Sequence, residues 1–234
     1  MTGSEIETFA ARRREVLSAI ETACTRTGRD PGSVRLVAVS KTVPPERLVH
    51  AVAAGLDRLA ENRVQEGLAK APLVPGASWE LVGPLQSNKA RRAIETFVRI
   101  QSVDSVELAQ RLDRIAGEIR PGEPLSVLLQ VNVDDDPAKA GFRPADVGVA
   151  LRELGEAPNL RIEGLMTIGR FAAAEVQSRT TFRALRDLSE RLRAAHPRLG
   201  NELSMGMSDD YVAAVEEGAT IVRVGRALFG DRRA

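Results

Sequence analysis

One cysteine, two histidines, four lysines and an aromatic share of 3% are all that this 234-residue chain has of these residue types. Each shortage excludes something. A lone cysteine, Cys24, cannot form an internal disulfide, and its amphipathic helical surroundings predict a buried thiol rather than a nucleophile. His50 and His196 lie far apart, each in a helical pattern without a partner at ligand spacing, so no zinc site is expected. No apolar run reaches membrane-spanning length, and the opening TGSEIETFAARRRE lacks the apolar core of a signal peptide. The expectation is a cytoplasmic protein with no membrane partner. Lys plus Arg number 33 against 32 Asp plus Glu, so the basic excess that a nucleic-acid surface needs is missing. The basic charge is nearly all arginine. A chemistry that needs an amine must choose among Lys41, Lys70, Lys89 and Lys139.

What is present is an alternation. Short β-branched runs at 34–40, 58–61, 79–82, 98–101, 126–133, 162–167, 202–205 and 220–224 are separated by helical patterns near 45–54, 62–71, 87–95, 105–118, 144–155, 174–195 and 208–217. An amphipathic stretch near 4–27 precedes them all. Such alternation implies a parallel sheet with helical crossovers, and eight strands suggest closure into a single (β/α)8 TIM barrel. An open doubly wound sheet is the alternative. No linker or repeat interrupts residues 1–234, which read as one domain.

Three segments could carry chemistry. Lys41 closes the first strand in Val37-Ala38-Val39-Ser40-Lys41, sharing a face with Val37 and Val39. In a barrel that is the active end, and an amine among apolar neighbours becomes a better nucleophile toward aldehydes. The strand alone favours the plainer alternative, a solvated lysine. The other three lysines look blander, Lys70 and Lys89 in helical segments and Lys139 in an acidic loop. The run Leu203-Ser204-Met205-Gly206-Met207-Ser208-Asp209-Asp210 reads as strand, turn and a helix capped by Ser208. Its backbone N–H groups suit an oxyanion, or simply an ordinary capped helix. In Val222-Arg223-Val224-Gly225-Arg226, Arg223 shares a strand face with Ile221 and Gly225. It either enters the barrel and needs a partner, or pairs with a carboxylate at the strand edge. The loops after strands seven and eight are the usual phosphate site of this fold, and strand one neighbours strand eight. An amine beside a phosphate cradle suits a phosphorylated aldehyde.

These segments also carry a family likeness. With LVAVSKTVP around Lys41, ENRVQE at 61–66, WELVGPLQSNKAR at 79–91, SVDS at 102–105, GLMTIG at 164–169, LSMGMSDDY at 203–211 and VRVGRALFG at 222–230, the chain resembles the YggS/PROSC family of pyridoxal-phosphate-binding, or pyridoxal phosphate homeostasis, proteins. The resemblance implies a barrel like that of alanine racemase (fold type III) and pyridoxal 5′-phosphate held as a Schiff base on Lys41. It further implies Arg223 at the pyridine nitrogen, a phosphate held by Ser204, Gly206, Met207 and Gly225 with Ser208 beside them, Asn62 at the ring and Met166 packed near the cofactor. Two positions depart from the family. Glu80 follows Trp79 where histidine is usual, and Arg226 follows Gly225 where a small residue is usual, so its contact would be through the backbone N–H or its guanidinium.

The implied role is buffering and delivery of the cofactor to pyridoxal-phosphate-dependent apoenzymes, by a monomer without substantial turnover. An amino-acid racemase is the competing enzyme reading, but racemases need acid–base groups on both faces of the substrate carbon. Tyr211 is the only tyrosine, and no second domain is expected to supply another. A cofactor-free Schiff-base aldolase would use Lys41 directly on a sugar phosphate. Only the first two readings predict a yellow protein.

Overall fold

The structure, a computed structural model, describes residues 2–169 and 175–230. The eight strands are β1 (Arg35–Val39), β2 (Arg58–Glu61), β3 (Ser78–Leu81), β4 (Arg99–Val103), β5 (Leu125–Gln130), β6 (Leu160–Met166), β7 (Glu202–Ser204) and β8 (Ile221–Val224). They pair in parallel, each with the next, and β8 returns to β1, so the barrel is closed and the open sheet is excluded. Val37 stands opposite Arg223 and Ala38 opposite Val224 across the closing seam.

The helices are α1 (Thr2–Arg26), α2 (Pro45–Ala53), α3 (Val64–Lys70), α4 (Ala90–Thr96), α5 (Val106–Ile119), α6 (Val147–Glu153), α7 (Glu175–Ala195), α8 (Tyr211–Glu216) and α9 (Arg226–Phe229). Most follow local rules. In α5, Ser105 accepts the Leu108 N–H at 3.2 Å as N-cap. The buried face of α5 is Leu108, Ala109, Leu112, Ile115 and Ala116, the spacing of one helical stripe. The first helix buries Phe9, Val16, Ile20, Ala23 and Cys24. Phe9 meets Phe229 of α9 edge to face at 5.7 Å between centroids. Truncating a fully buried phenylalanine such as Phe9 typically costs about 3–5 kcal/mol, so α1 is firmly docked. Burial first, with Asp30 adding to it and Arg29 opposing it, pushes the Cys24 thiol upward; the thiol is buried, as its helical stripe predicts, and free.

Some boundaries differ from expectation. The helix at 62–71 starts at Val64, because Asn62 and an extended Arg63 (φ −132°) carry the chain out of β2. The segment 87–95 splits into a 3-10 turn at Ser87–Lys89 and α4. Ser208 is not a helix cap, since α8 begins at Tyr211 with Asp210 in the cap position. The start of the expected helix at 174 lies outside the described residues. The four-residue helix α9 follows β8 unannounced, being too short to show a period.

The barrel interior has two characters. Val37, Ala60, Val82, Leu128, Met166 and Ile221 form an apolar cluster distinct from the larger core between barrel and helices. Among them stand buried polar residues, Glu80, Arg99, Gln101, Ser204 and Arg223. Polar groups taken out of water must be hydrogen-bonded, and these are.

Candidate functional site

Alternation along β1 turns Val37 and Val39 toward the interior cluster and delivers Lys41 to the carboxyl end of the barrel. A tight turn follows, in which Val43 N–H donates to the Ser40 carbonyl at 3.0 Å. Thr42 takes φ +64°, a left-handed conformation that costs a non-glycine residue energy. Lys41 is half-buried and lines a cavity of about 1690 Å³ together with Met207, Ser208, Arg223, Gly225 and Arg226. Among the described residues nothing hydrogen-bonds its amine.

The other lysines differ. Lys70 is buried, contrary to the plain helical expectation, and donates to Glu61 Oε1 at 2.7 Å and to the Ser40 carbonyl at 3.0 Å. Lys139 donates to the Ile168 carbonyl at 3.1 Å and pairs with Asp134 at 3.3 Å. Lys89 sits half-buried in the 3-10 turn before α4, away from the cavity lining.

Arg223 does enter the barrel. It is 4% exposed, and among the described residues no carboxylate touches it. Its Nη1 donates to Ser204 Oγ at 2.7 Å and its Nη2 to the Thr167 carbonyl at 2.8 Å. Burial draws its pKa down to about 10, with the Asp210 carboxylate acting against the fall. The guanidinium stays charged at neutral pH while resting on neutral acceptors, with the cavity on its other side.

The loops after β7 and β8 close on each other above it. Ser208 Oγ accepts from Gly225 N–H at 3.2 Å and from Ala227 N–H at 3.4 Å, so its oxygen lies where two backbone donors converge. Met207 N–H is taken by Asp210 Oδ1 at 2.7 Å. Gly206 has φ +91°, and a Cβ there would come within 2.5 Å of Ala214 Cβ, so only glycine allows this turn to pack on α8. Gly225 brings the end of β8 against β1; a Cβ would stand 3.2 Å from the Val39 carbonyl oxygen. The Arg226 guanidinium is held by Asp209, and both residues line the cavity.

Four of the residues expected at the site are not in the cavity lining: Asn62, Met166, Ser204 and Gly206. Asn62 and Met166 stand at the ends of β2 and β6, and Met166 belongs to the interior cluster. The Ser204 hydroxyl does not reach the loop; it is fully buried and bridges Arg223 and Gln101. Sequence reasoning missed Lys70, Glu61 and Gln101. For Lys70 a signal existed, since Val64, Gly67 and Lys70 recur at a spacing of three on the buried face of α3.

The family description "Alanine racemase, N-terminal domain" matches residues 17–233. The pyridoxal phosphate homeostasis protein of Pseudomonas aeruginosa is 42% identical over 232 residues, 97% of each chain. PipY of Synechococcus elongatus PCC7942, solved with PLP bound, aligns with a TM-score of 0.80 at 43% identity, covering 91% of this chain and 100% of that one. An alanine racemase of Clostridium difficile 630 shares the fold alone, with a TM-score of 0.71 at 18% identity over 93% of this chain and 60% of that one. With identities of this size along nearly its whole length, the chain belongs to the family of pyridoxal phosphate homeostasis proteins.

Proposed function

We propose that this protein binds pyridoxal phosphate at the carboxyl end of its barrel, attached reversibly through Lys41, and serves vitamin B6 homeostasis by storing the cofactor and releasing it to pyridoxal-phosphate-dependent apoenzymes. The observation that carries the proposal is a convergence in one cavity: among the described residues, a half-buried amine without a hydrogen bond, a buried guanidinium without a carboxylate partner, and backbone donors aimed at a single oxygen. Pyridoxal phosphate supplies an aldehyde that condenses reversibly with a primary amine, so the store is covalent yet exchangeable.

The chain's own residues then divide the work. Lys41 offers the amine. Arg223, which can only donate, faces the ring nitrogen. The backbone of Gly225 and Arg226, with Ser208, receives the phosphate, which carries close to two negative charges near neutral pH, while Gly206 shapes the turn and Met207 walls the cavity. Ser204 acts beneath them through Arg223. Asn62 and Met166 flank the ring from the ends of β2 and β6. In this reading residues 1–234 work as one domain, as a monomer in the cytoplasm.

Turnover is not part of the proposal. Moving a proton across both faces of a substrate carbon needs two placed acid–base groups, each typically worth about 10²–10⁴-fold in rate. No tyrosine and no histidine lines the cavity among the described residues. Tyr211 lies half-buried at the start of α8, where burial first and the Glu15 carboxylate second push its hydroxyl upward. The test titrates purified protein with pyridoxal phosphate, follows visible absorbance, and then incubates the loaded protein with single amino-acid enantiomers in deuterated water. A visible band that is lost in Lys41→Ala, with only trace α-deuterium, is expected. Fast Lys41-dependent racemisation would make the protein an enzyme instead.

A further inference from the structure

The buried polar residues inside the barrel form one continuous chain that ends on Arg223. Glu163 Oε2 accepts from Arg99 Nε at 2.7 Å, and Arg99 Nη1 donates to Glu80 Oε1 at 3.0 Å. Gln101 Nε2 donates to Glu80 Oε2 at 2.6 Å. Ser204 Oγ donates to Gln101 Oε1 at 2.6 Å and accepts from Arg223 Nη1 at 2.7 Å. The links come from β6, β4, β3, β7 and β8, so the chain crosses the barrel. Glu80 is 1% exposed, while Gln101 and Ser204 are fully buried.

Hydrogen-bond chemistry gives this chain a direction. A carboxylate only accepts, so the Gln101 amide must present its nitrogen to Glu80 and its oxygen to Ser204. That oxygen takes the single Ser204 proton. The lone pairs of Ser204 are then left for Arg223. Since no carboxylate among the described residues contacts Arg223, its aim depends on this neutral acceptor and on the Thr167 carbonyl.

We propose that Glu80 and Gln101 are positioning residues for Arg223: the Glu80 carboxylate orients the Gln101 amide, the amide orients the Ser204 hydroxyl, and the hydroxyl holds the guanidinium with its remaining donors toward the cavity. The consequence for recognition is a preference for a ring that offers an unprotonated acceptor nitrogen. This part rests on the reading of Arg223 toward the ring nitrogen in the proposed function; the chain of orientation does not.

The decisive variant is Glu80→Gln. An amide at position 80 can donate, which lets the Gln101 amide turn over; its nitrogen then faces Ser204, the Ser204 proton swings toward Arg223, and two donors meet. Arg99 keeps Glu163, so the fold is expected to survive. A second variant, Gln101→Leu, removes the link without touching the Arg99 pair. Two measurements decide. In ligand-free protein, the Arg223 Nε–H resonance, assigned with Arg223→Lys, should move, and its hydrogen exchange should quicken at least about tenfold, as for one lost buried hydrogen bond. In binding, affinity for pyridoxal phosphate should fall about tenfold, while affinity for the analogue with C–H in place of the ring nitrogen stays as in the unaltered protein. Both variants folding with an unchanged Arg223 resonance and an unchanged preference for the ring nitrogen would overturn the proposal. So would unfolding of both, which would make the chain a folding element. If the unaltered protein fails to bind pyridoxal phosphate, the functional reading falls, and the ligand-free resonance still decides whether Glu80 orients Arg223.

Discussion

The Nζ of Lys70 lies 3.0 Å from the carbonyl oxygen of Ser40, the residue that precedes Lys41. The same amine holds Glu61 Oε1, which also accepts from Ser40 Oγ at 2.8 Å. A buried pair on the outside of β1 and β2 thus grips the backbone that carries Lys41, next to the strained Thr42. Burial pushes the Glu61 carboxyl upward while Lys70 and Ser40 hold it down, and its Oε2 has no hydrogen-bond partner among the described residues. Lys70→Met strands that carboxylate, and removing one partner of a buried pair typically costs about 3–5 kcal/mol. The double variant Lys70→Met/Glu61→Leu should recover most of that loss. It should nonetheless bind pyridoxal phosphate more weakly, because the Ser40 carbonyl and hydroxyl then lose the Lys70 amine and the Glu61 carboxylate that brace the turn. Denaturant unfolding and cofactor titration read the two effects separately; a single variant as stable as the unaltered protein would refute the clamp.

Attachment is checked by reduction. Borohydride added to protein loaded with pyridoxal phosphate should fix the label on the peptide that contains Lys41. Label on Lys70, Lys89 or Lys139 would sink the assignment. Lys41→Ala should remain folded, since the side chain is a half-buried cavity wall that makes no hydrogen bond among the described residues.

Phosphate recognition is checked by omission. Each hydrogen bond to a charged group contributes about 1.5–3 kcal/mol, so two or more lost with the phosphate should weaken pyridoxal by about a hundredfold or more. Ser208→Ala should have a smaller effect, below about tenfold, because it takes one hydroxyl and leaves the backbone donors of Gly225 and Ala227 in place. Calorimetric titration of both aldehydes measures this. Equal affinity for the two would refute a dedicated cradle.

How much of this was legible in the chain follows from periodicity and reach. All eight strands were, because short runs set between helical patterns and turns mark a barrel strand, and their ends fell within three residues of the observed ones. Alternation put Arg223 on one strand face with Ile221 and Gly225 but left open whether that face points inward; the closed barrel buries it. What could not be read was partnership across strands. Glu80 stood out only as a departure from the family and Ser204 only as a phosphate contact, Gln101 not at all, and only the barrel's closure brings the three within hydrogen-bond distance. Ser208 was misjudged for the same reason: a serine before two aspartates looks like a cap until the end of β8 arrives beside it.

Acid should loosen the entry side of the cavity. Glu5 of α1 holds Arg47 at 2.6 Å and His50 at 2.7 Å, both on α2, the helix that follows Lys41. The His50 bond first, then Arg47, lowers the Glu5 carboxyl below its ordinary value of 4.5. A depressed carboxyl stabilises the fold above its unfolded value and loses that contribution as pH falls through the folded one. Because the pair faces solvent, its worth is below about 1 kcal/mol. Glu5→Gln should therefore be slightly less stable than the unaltered protein near neutral pH, and the gap should close as pH drops below 4.5. A gap that persists in acid would place the effect elsewhere.

The placement of the lysines has a chemical consequence of its own. Free pyridoxal phosphate condenses with accessible primary amines wherever it meets them, so a protein that handles it risks decorating itself. Here nearly every cation is a guanidinium, which does not form such adducts readily. Lys70 is walled in by Glu61 and Ser40, and Lys139 is occupied by Asp134 and the Ile168 carbonyl. In the proposed function, selectivity for Lys41 then comes as much from the scarcity of rival nucleophiles as from any tuning of Lys41. Exchanging exposed arginines for lysines at sites far from the barrel mouth should leave the fold intact and, on the proposed function, spread the cofactor over several amines.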